Sequence, residues 1–245
     1  MEIETYKNIN TDKKNMANEE VKKQLYVGRI IISLIIASFL FIGVFSFGYF
    51  SAFENYKSMV AKQDVIFNSL LEMQIEKELI QSSCDNFDLQ SFSDELNNMG
   101  SIMGQLEEQL GKNNPDVIEQ KKVYTMLQVQ HYQLIEENNK NCNAETPILL
   151  FFYSNEKDFI DQSEMMGYII SNYRKSNSGT VVYSFDYNLD SKLVNTMKRI
   201  KGITQANSVV IGSTILTDLK NIDDLSEAFK KAINTSTNQN TINLN

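Results

Sequence analysis

Apolar and polar positions follow three different rules along this chain. From Ile30 to Phe53 the sequence reads IIISLIIASFLFIGVFSFGYFSAF, with no charged residue and no proline. At a helical rise of about 1.5 Å per residue this run reaches roughly 36 Å, enough to cross a ~30 Å hydrocarbon core with some tilt. It predicts a transmembrane signal-anchor helix over residues 26–53. Beyond it, apolar residues recur in steps of three and four, which is helical spacing. A first helix, Glu54 to Ser82, carries Met59, Ile66, Leu70, Met73 and Leu79. A second carries Leu89, Phe92, Leu96, Met99, Met103, Leu106 and Leu110, a coiled-coil seam that stops at Gly111. After the turn Lys112-Asn113-Asn114-Pro115, a third runs to about Asn139 with Ile118, Tyr124, Leu127, Leu134 and Ile135 inward. So short a polar connection predicts an antiparallel hairpin, and residues 54–142 are read as an extracytoplasmic helical stalk.

From Thr146 the rule changes again. Ile148 to Tyr153 is a continuous apolar run of strand length, as expected of a strand covered on both faces. A helix over Asp158 to Lys175 follows, then a strand over Thr180 to Asp186 and a helix holding Leu193, Val194, Met197 and Ile200 that stops at Gly202. Ser208 to Ile211, a Gly212-Ser213 turn and Thr214 to Leu216 predict a hairpin. The last helix is expected to start on Asp223 or Asp224 as N-cap and to present Leu225, Ala228 and Phe229. The order β-α-β-α-β-β-α implies a parallel strand pair joined by a crossover, followed by an antiparallel hairpin.

Over residues 146–232 this pattern resembles the thioredoxin fold. The likeness is clearest from Val181-Val182-Tyr183-Ser184-Phe185-Asp186 through Met197 to Ile203 and on to Ser208-Val209-Val210-Ile211. The resemblance implies a Cys-x-x-Cys after the first strand, but that region reads Ser154-Asn155-Glu156-Lys157-Asp158-Phe159-Ile160-Asp161. It also implies a cis-proline before the third strand, where Asn207-Ser208 stands instead. The scaffold is therefore expected without its dithiol chemistry. The expected fold class is an α/β thioredoxin-like C-terminal domain on an α-helical hairpin or coiled-coil stalk, with one N-terminal transmembrane helix.

Composition narrows the function classes. The 23 basic and 31 acidic residues leave a formal charge of -8, and residues 1–29 hold six of the basic and five of the acidic groups. An acidic exterior without a basic stripe disfavours nucleic acid, whose binding depends on Lys and Arg displacing phosphate counterions. Lys13, Lys14, Lys22, Lys23 and Arg29 precede the apolar run, against Lys57 and Lys62 just after it. That asymmetry predicts a cytoplasmic N-terminus and an extracytoplasmic C-terminal portion. A cleaved signal peptide is the competing reading, but the run exceeds the usual apolar core and lacks an Ala-x-Ala end. The arm of residues 1–25 and the tail of residues 233–245 are polar enough to be expected disordered. Ser33 and Ala37 form a small-xxx-small pair, more simply read as lipid-facing filler than as a dimer contact.

The only two cysteines are Cys84, before the second stalk helix, and Cys142, after the third. Folding the hairpin brings both to one end, which predicts a structural disulfide Cys84–Cys142 in an oxidising compartment. Closing a loop of about 58 residues contributes on the order of 4 kcal/mol in the chain-entropy picture. A redox-active pair is the alternative, and the wide spacing does not favour it. The single histidine, His131, lies among apolar helix positions and reads as a packing or surface residue before a proton switch. Glu72, Glu76 and Glu78 read as a solvated face. Asp186-x-Asn188-x-Asp190 matches the opening of a calcium loop, but Ser191 and Met197 stand where its glycine and bidentate glutamate belong. No catalytic residue, cofactor or metal site is therefore assigned.

Function is expected to be display of a non-catalytic domain that binds or scaffolds an extracytoplasmic protein partner. The lipid bilayer is a second partner, and the stalk seam could pair two copies. The alternatives are a membrane-tethered thiol oxidoreductase using Cys84 and Cys142, and a transmembrane sensor acting through a cytoplasmic partner.

Overall fold

The computed structural model describes residues 2–80, 89–142 and 144–242. The chain divides into two units, Met1–Glu54 and Asn55–Asn245.

The first unit is helical, as the beginning of α1 (Glu2–Ile80). The arm of residues 1–25, expected to be disordered, is helical from Glu2. Residues 2–27 contain neither Gly nor Pro, so nothing local stops a helix once it is nucleated, and each added residue gains a hydrogen bond. From Ile30 to Phe50 the apolar side chains are exposed: Phe39 is 80% exposed, and Phe41, Val44 and Phe47 are similar. The Ser33 hydroxyl donates to the Ile30 carbonyl at 2.8 Å, so this polar group is satisfied within its own helix. α1 thus contains a segment, within Arg29–Glu72, long and apolar enough to cross a membrane, with mean hydropathy 2.7 in its most apolar window and no burial there.

In the second unit, α1 continues beside α2 (Leu89–Leu110) and α3 (Pro115–Cys142). Met59 and Leu70 from α1, Leu96, Met99, Met103 and Leu106 from α2, and Val117, Leu127 and Leu134 from α3 form one buried cluster. The seam read from the sequence therefore serves packing within the chain. Side chains of Ile66, Met73, Leu79, Glu76 and Glu78 lie outside the described residues, while Glu72 is exposed. The α2–α3 turn follows from its residues. Gly111 takes a left-handed φ of +92°, and Asn114 caps α3 by accepting from the Asp116 amide at 2.9 Å, with Pro115 in the first helical position.

The C-terminal part holds β1 (Ile148–Tyr153), α4 (Ile160–Ser176), β2 (Val181–Asp186), α5 (Lys192–Lys201), β3 (Ser208–Ile211), β4 (Thr214–Leu216) and α6 (Ile222–Ile242). The sheet order is β2-β1-β3-β4. β1 pairs in parallel with β2, from Ile148 opposite Val181 to Tyr153 opposite Asp186, and antiparallel with β3; β3 and β4 form the hairpin. Because side chains alternate along a strand, β1 feeds two cores. Leu149 and Phe151 join Met166, Ile170 and Phe229 from α4 and α6. Leu150 and Phe152 join Tyr183, Phe185 and Met197, together with Val129, Tyr132 and Ile135 of α3. α3 therefore packs against both the helical cluster and the sheet, so the boundary expected between residues 54–142 and 146–232 is not a boundary in packing.

Two local starts and stops differ from expectation. α6 is capped two to three residues ahead of the expected Asp223 or Asp224: Asn221 accepts from the Asp224 amide at 3.1 Å, while Asp224 accepts from the Asn221 amide at 3.1 Å, a reciprocal capping box. At the other end α6 runs on to Ile242, through much of the tail expected to be disordered, because residues 233–242 also lack Gly and Pro.

Candidate functional site

The most conspicuous chemistry is a buried ionic triad that joins three elements. Lys121 on α3 is 4% exposed, and its Nζ lies 2.6 Å from Glu107 Oε1 on α2 and 3.0 Å from Asp186 Oδ2 at the end of β2. The Glu107 contact is a close ion pair not aligned as a hydrogen bond, whereas Lys121 donates properly to Asp186. A buried lysine is tolerable only where opposite charge compensates its lost hydration, and here two carboxylates face it. Beside them stands Tyr153, whose hydroxyl is pushed well above the ordinary phenol range by burial and then by the nearby charges of Asp186 and Glu107.

The stretch after β1, where a dithiol would sit in the resembled family, is instead a closed polar network. Ser163 Oγ accepts from the Ser154 amide at 3.0 Å and lies 2.8 Å from the Ser154 carbonyl and 2.5 Å from Asn207 Oδ1. Asn207, buried and at a φ of +56°, donates to the Phe159 carbonyl and to Gln162 Oε1, both at 3.0 Å. Ser154 Oγ donates to Asn188 Oδ1 at 2.8 Å, and Asn188 Nδ2 donates to Glu156 Oε1 at 2.7 Å. These side chains bond one another, which leaves none poised as a nucleophile with a base behind it.

The network also takes up the calcium-like motif. Asp186 accepts from Lys121, from Asn155 Nδ2 at 3.2 Å and from the Asn188 amide at 3.1 Å, Ser191 caps α5, and Met197 is buried in the core. Among the described residues, no group of three or more His, Cys, Asp or Glu converges as a metal site. His131 is fully buried: its Nδ1 faces the Tyr183 hydroxyl at 2.9 Å and its Nε2 faces Ser93 Oγ at 3.5 Å. It is a packing residue of the interface between α2, α3 and β2. Cys142 is half-buried at the end of α3 and is disulfide-bonded; Cys84 lies outside the described residues.

Next to the triad opens a cavity of about 320 Å³ between the α2–α3 hairpin, α4 and the β1–β2 side of the sheet. Gly100 and Gly104 on α2 and Gly167 on α4 line it, and the small residues leave the space open. A Cβ on Gly100 would stand 2.7 Å from the Tyr124 hydroxyl, while one on Gly104 would meet nothing within 4 Å. Tyr124 donates to the Leu96 carbonyl at 2.9 Å; burial raises its phenol to about 12, against a hydrogen bond from Gln128 and the charge of Arg174. Sequence patterning does not find this site. Its one trace is that polar residues Lys121, Thr125 and Gln128 follow Val117 at inward-facing helical steps, and all four are buried.

Comparison with known protein families, curated proteins and solved structures finds no match to this chain.

Proposed function

We propose that this chain is a single-pass membrane protein that displays a thioredoxin-like, redox-inactive domain outside the cytoplasm to bind or scaffold other extracytoplasmic proteins. The observation that carries the reading is the apolar helix running from Ile30, whose side chains as far as Phe50 are exposed and call for lipid. The basic residues before it and their scarcity after it favour a cytoplasmic N-terminus. A disulfide-bonded Cys142 fits an oxidising compartment. Its place at the C-terminal end of α3, where a helix disfavours a thiolate, supports a structural clamp with Cys84 rather than dithiol exchange.

The thioredoxin-like reading is supported by the β-α-β-α-β-β-α order and by the parallel-then-antiparallel sheet. The absence of catalysis is supported by the sulfur-free sequence after β1 and by its closed hydrogen bonds. Crosslinking in intact membranes followed by capture of the full-length chain tests the role: a reproducible extracytoplasmic protein partner is expected. Recovery of the chain alone, or of cytoplasmic partners bound through Asn55–Asn245, would sink it.

A further inference from the structure

The cavity beside the triad has two charged ends and an unused acceptor. At one end, Glu107 and Asp186 share a single lysine, leaving an excess of one negative charge. At the other, α4 leads into the start of β2, so Arg174 on its last turn stands toward the Val182 end of the wall, and its guanidinium makes no ion pair or hydrogen bond among the described residues. Val182, Ser184 and Asp186 line the cavity in succession. At about 3.3 Å per strand residue, the interval from Val182 to Asp186 is roughly 13 Å. The walls between are mixed: Met103, Phe151 and Ile170 are apolar, while Gln128 is 2% exposed and its Oε1 has no hydrogen-bond partner among the described residues. A buried carbonyl oxygen left unpaired is unfavourable unless a donor arrives. Exposed Gly104 and Ser171 lie at the rim, so the space is reachable from solvent.

We propose that this cavity binds a short peptide, of two or three residues, with free termini. Its carboxylate pairs with Arg174, whose planar fork suits that group; a peptide N–H donates to Gln128 Oε1; and its ammonium lies toward the Glu107–Asp186 end. A free amino acid carries the same two charges but is too short to reach both ends. The volume lies at the lower bound for small-molecule sites, which suits a ligand of this size. The inference goes beyond the scaffold role and does not depend on the anchor or its orientation.

The test is calorimetric titration of the full-length chain in detergent with di- and tripeptides, free amino acids, and the same peptides N-acetylated or C-amidated. Binding of the free-termini peptides is expected, weakened about ten- to hundredfold by either block and by Arg174→Gln. Gly104→Leu, whose Cβ meets nothing within 4 Å, should abolish binding without lowering the thermal midpoint of the empty protein. No binding by any peptide, equal binding by the blocked peptides, or unchanged affinity in Arg174→Gln and Gly104→Leu would each overturn the proposal.

Discussion

Two apolar runs in this chain look alike as strings of letters and behave as opposites. Ile148 to Tyr153 is covered on both faces, so Leu149, Leu150, Phe151 and Phe152 are all buried between helices of the same unit. Ile30 to Phe53 lies on a helix whose side chains are exposed from Ile30 to Phe50. In the first, alternation along a strand sends neighbours to two protein cores. In the second, apolar residues point in every direction around a helix, and no single protein face could cover them. Apolarity alone does not say where a segment belongs; its length and periodicity decide which solvent can satisfy it.

The sharpest way to break this comparison is to make the same change in both runs. Phe152→Ala should destabilise Asn55–Asn245 by about 3–5 kcal/mol through a cavity between β1, β2 and α3, measured by chemical denaturation. Phe39→Ala should leave that transition where it is. Equal effects would mean that the N-terminal run is packed on protein after all.

Inside the second unit the same contrast extends to charge. Lys121→Ala removes the cation that pairs with both Glu107 and Asp186 and should lower stability by about 3 kcal/mol, seen in the same denaturation experiment. A change under 1 kcal/mol, within what exposed ion pairs contribute, would show the triad to be solvated.

Burial of Tyr124 makes a smaller, pH-dependent contribution. Its phenol ionises near 10 when unfolded but near 12 when folded, so unfolding releases a proton between those values. Stability is therefore full below pH 10 and declines as pH rises toward 12, by up to about 2–3 kcal/mol for this residue. Tyr124→Phe should flatten the decline relative to wild type in paired melts across that window.

The smallest effects separate two glycines one helical turn apart. Gly104→Ala should stabilise by up to about 1 kcal/mol, since the helix gains propensity and the methyl meets open space. Gly100→Ala should forfeit that gain, because its methyl crowds the Tyr124 hydroxyl off its bond to the Leu96 carbonyl. Thermal melts of the two variants, ranked against wild type, decide the matter.

Local patterning reveals much of this architecture. The seam from Leu89 to Leu110, the turn at Asn113-Asn114-Pro115, the two parallel strands and the Gly212 hairpin each rest on spacing or turn chemistry within a few residues. What patterning misses is non-local. The inward set of α3 divides between two cores, with Leu127 and Leu134 on one side and Val129, Tyr132 and Ile135 on the other, so its periodicity reads as one broad face. Lys121 resembles any surface lysine until Asp186, far along the chain, is brought to it. Arg174 and Gln128 are equally silent in sequence, since a cavity is made by three elements meeting and leaves no mark in any one of them. The capping box at Asn221 was legible in principle, as Asn followed three residues later by Asp, but the adjacent Asp223 and Asp224 offer a competing signal.

The account stands on where the bare helix puts the rest of the chain, and added protease on intact cells tests that directly. If Ile30 to Phe53 anchors the protein with its N-terminus inside, protease should digest Asn55–Asn245 without breaching the membrane and leave an arm-plus-helix fragment in the membrane fraction. A chain that stays whole until the membrane is opened, or that washes free at high pH, would contradict it.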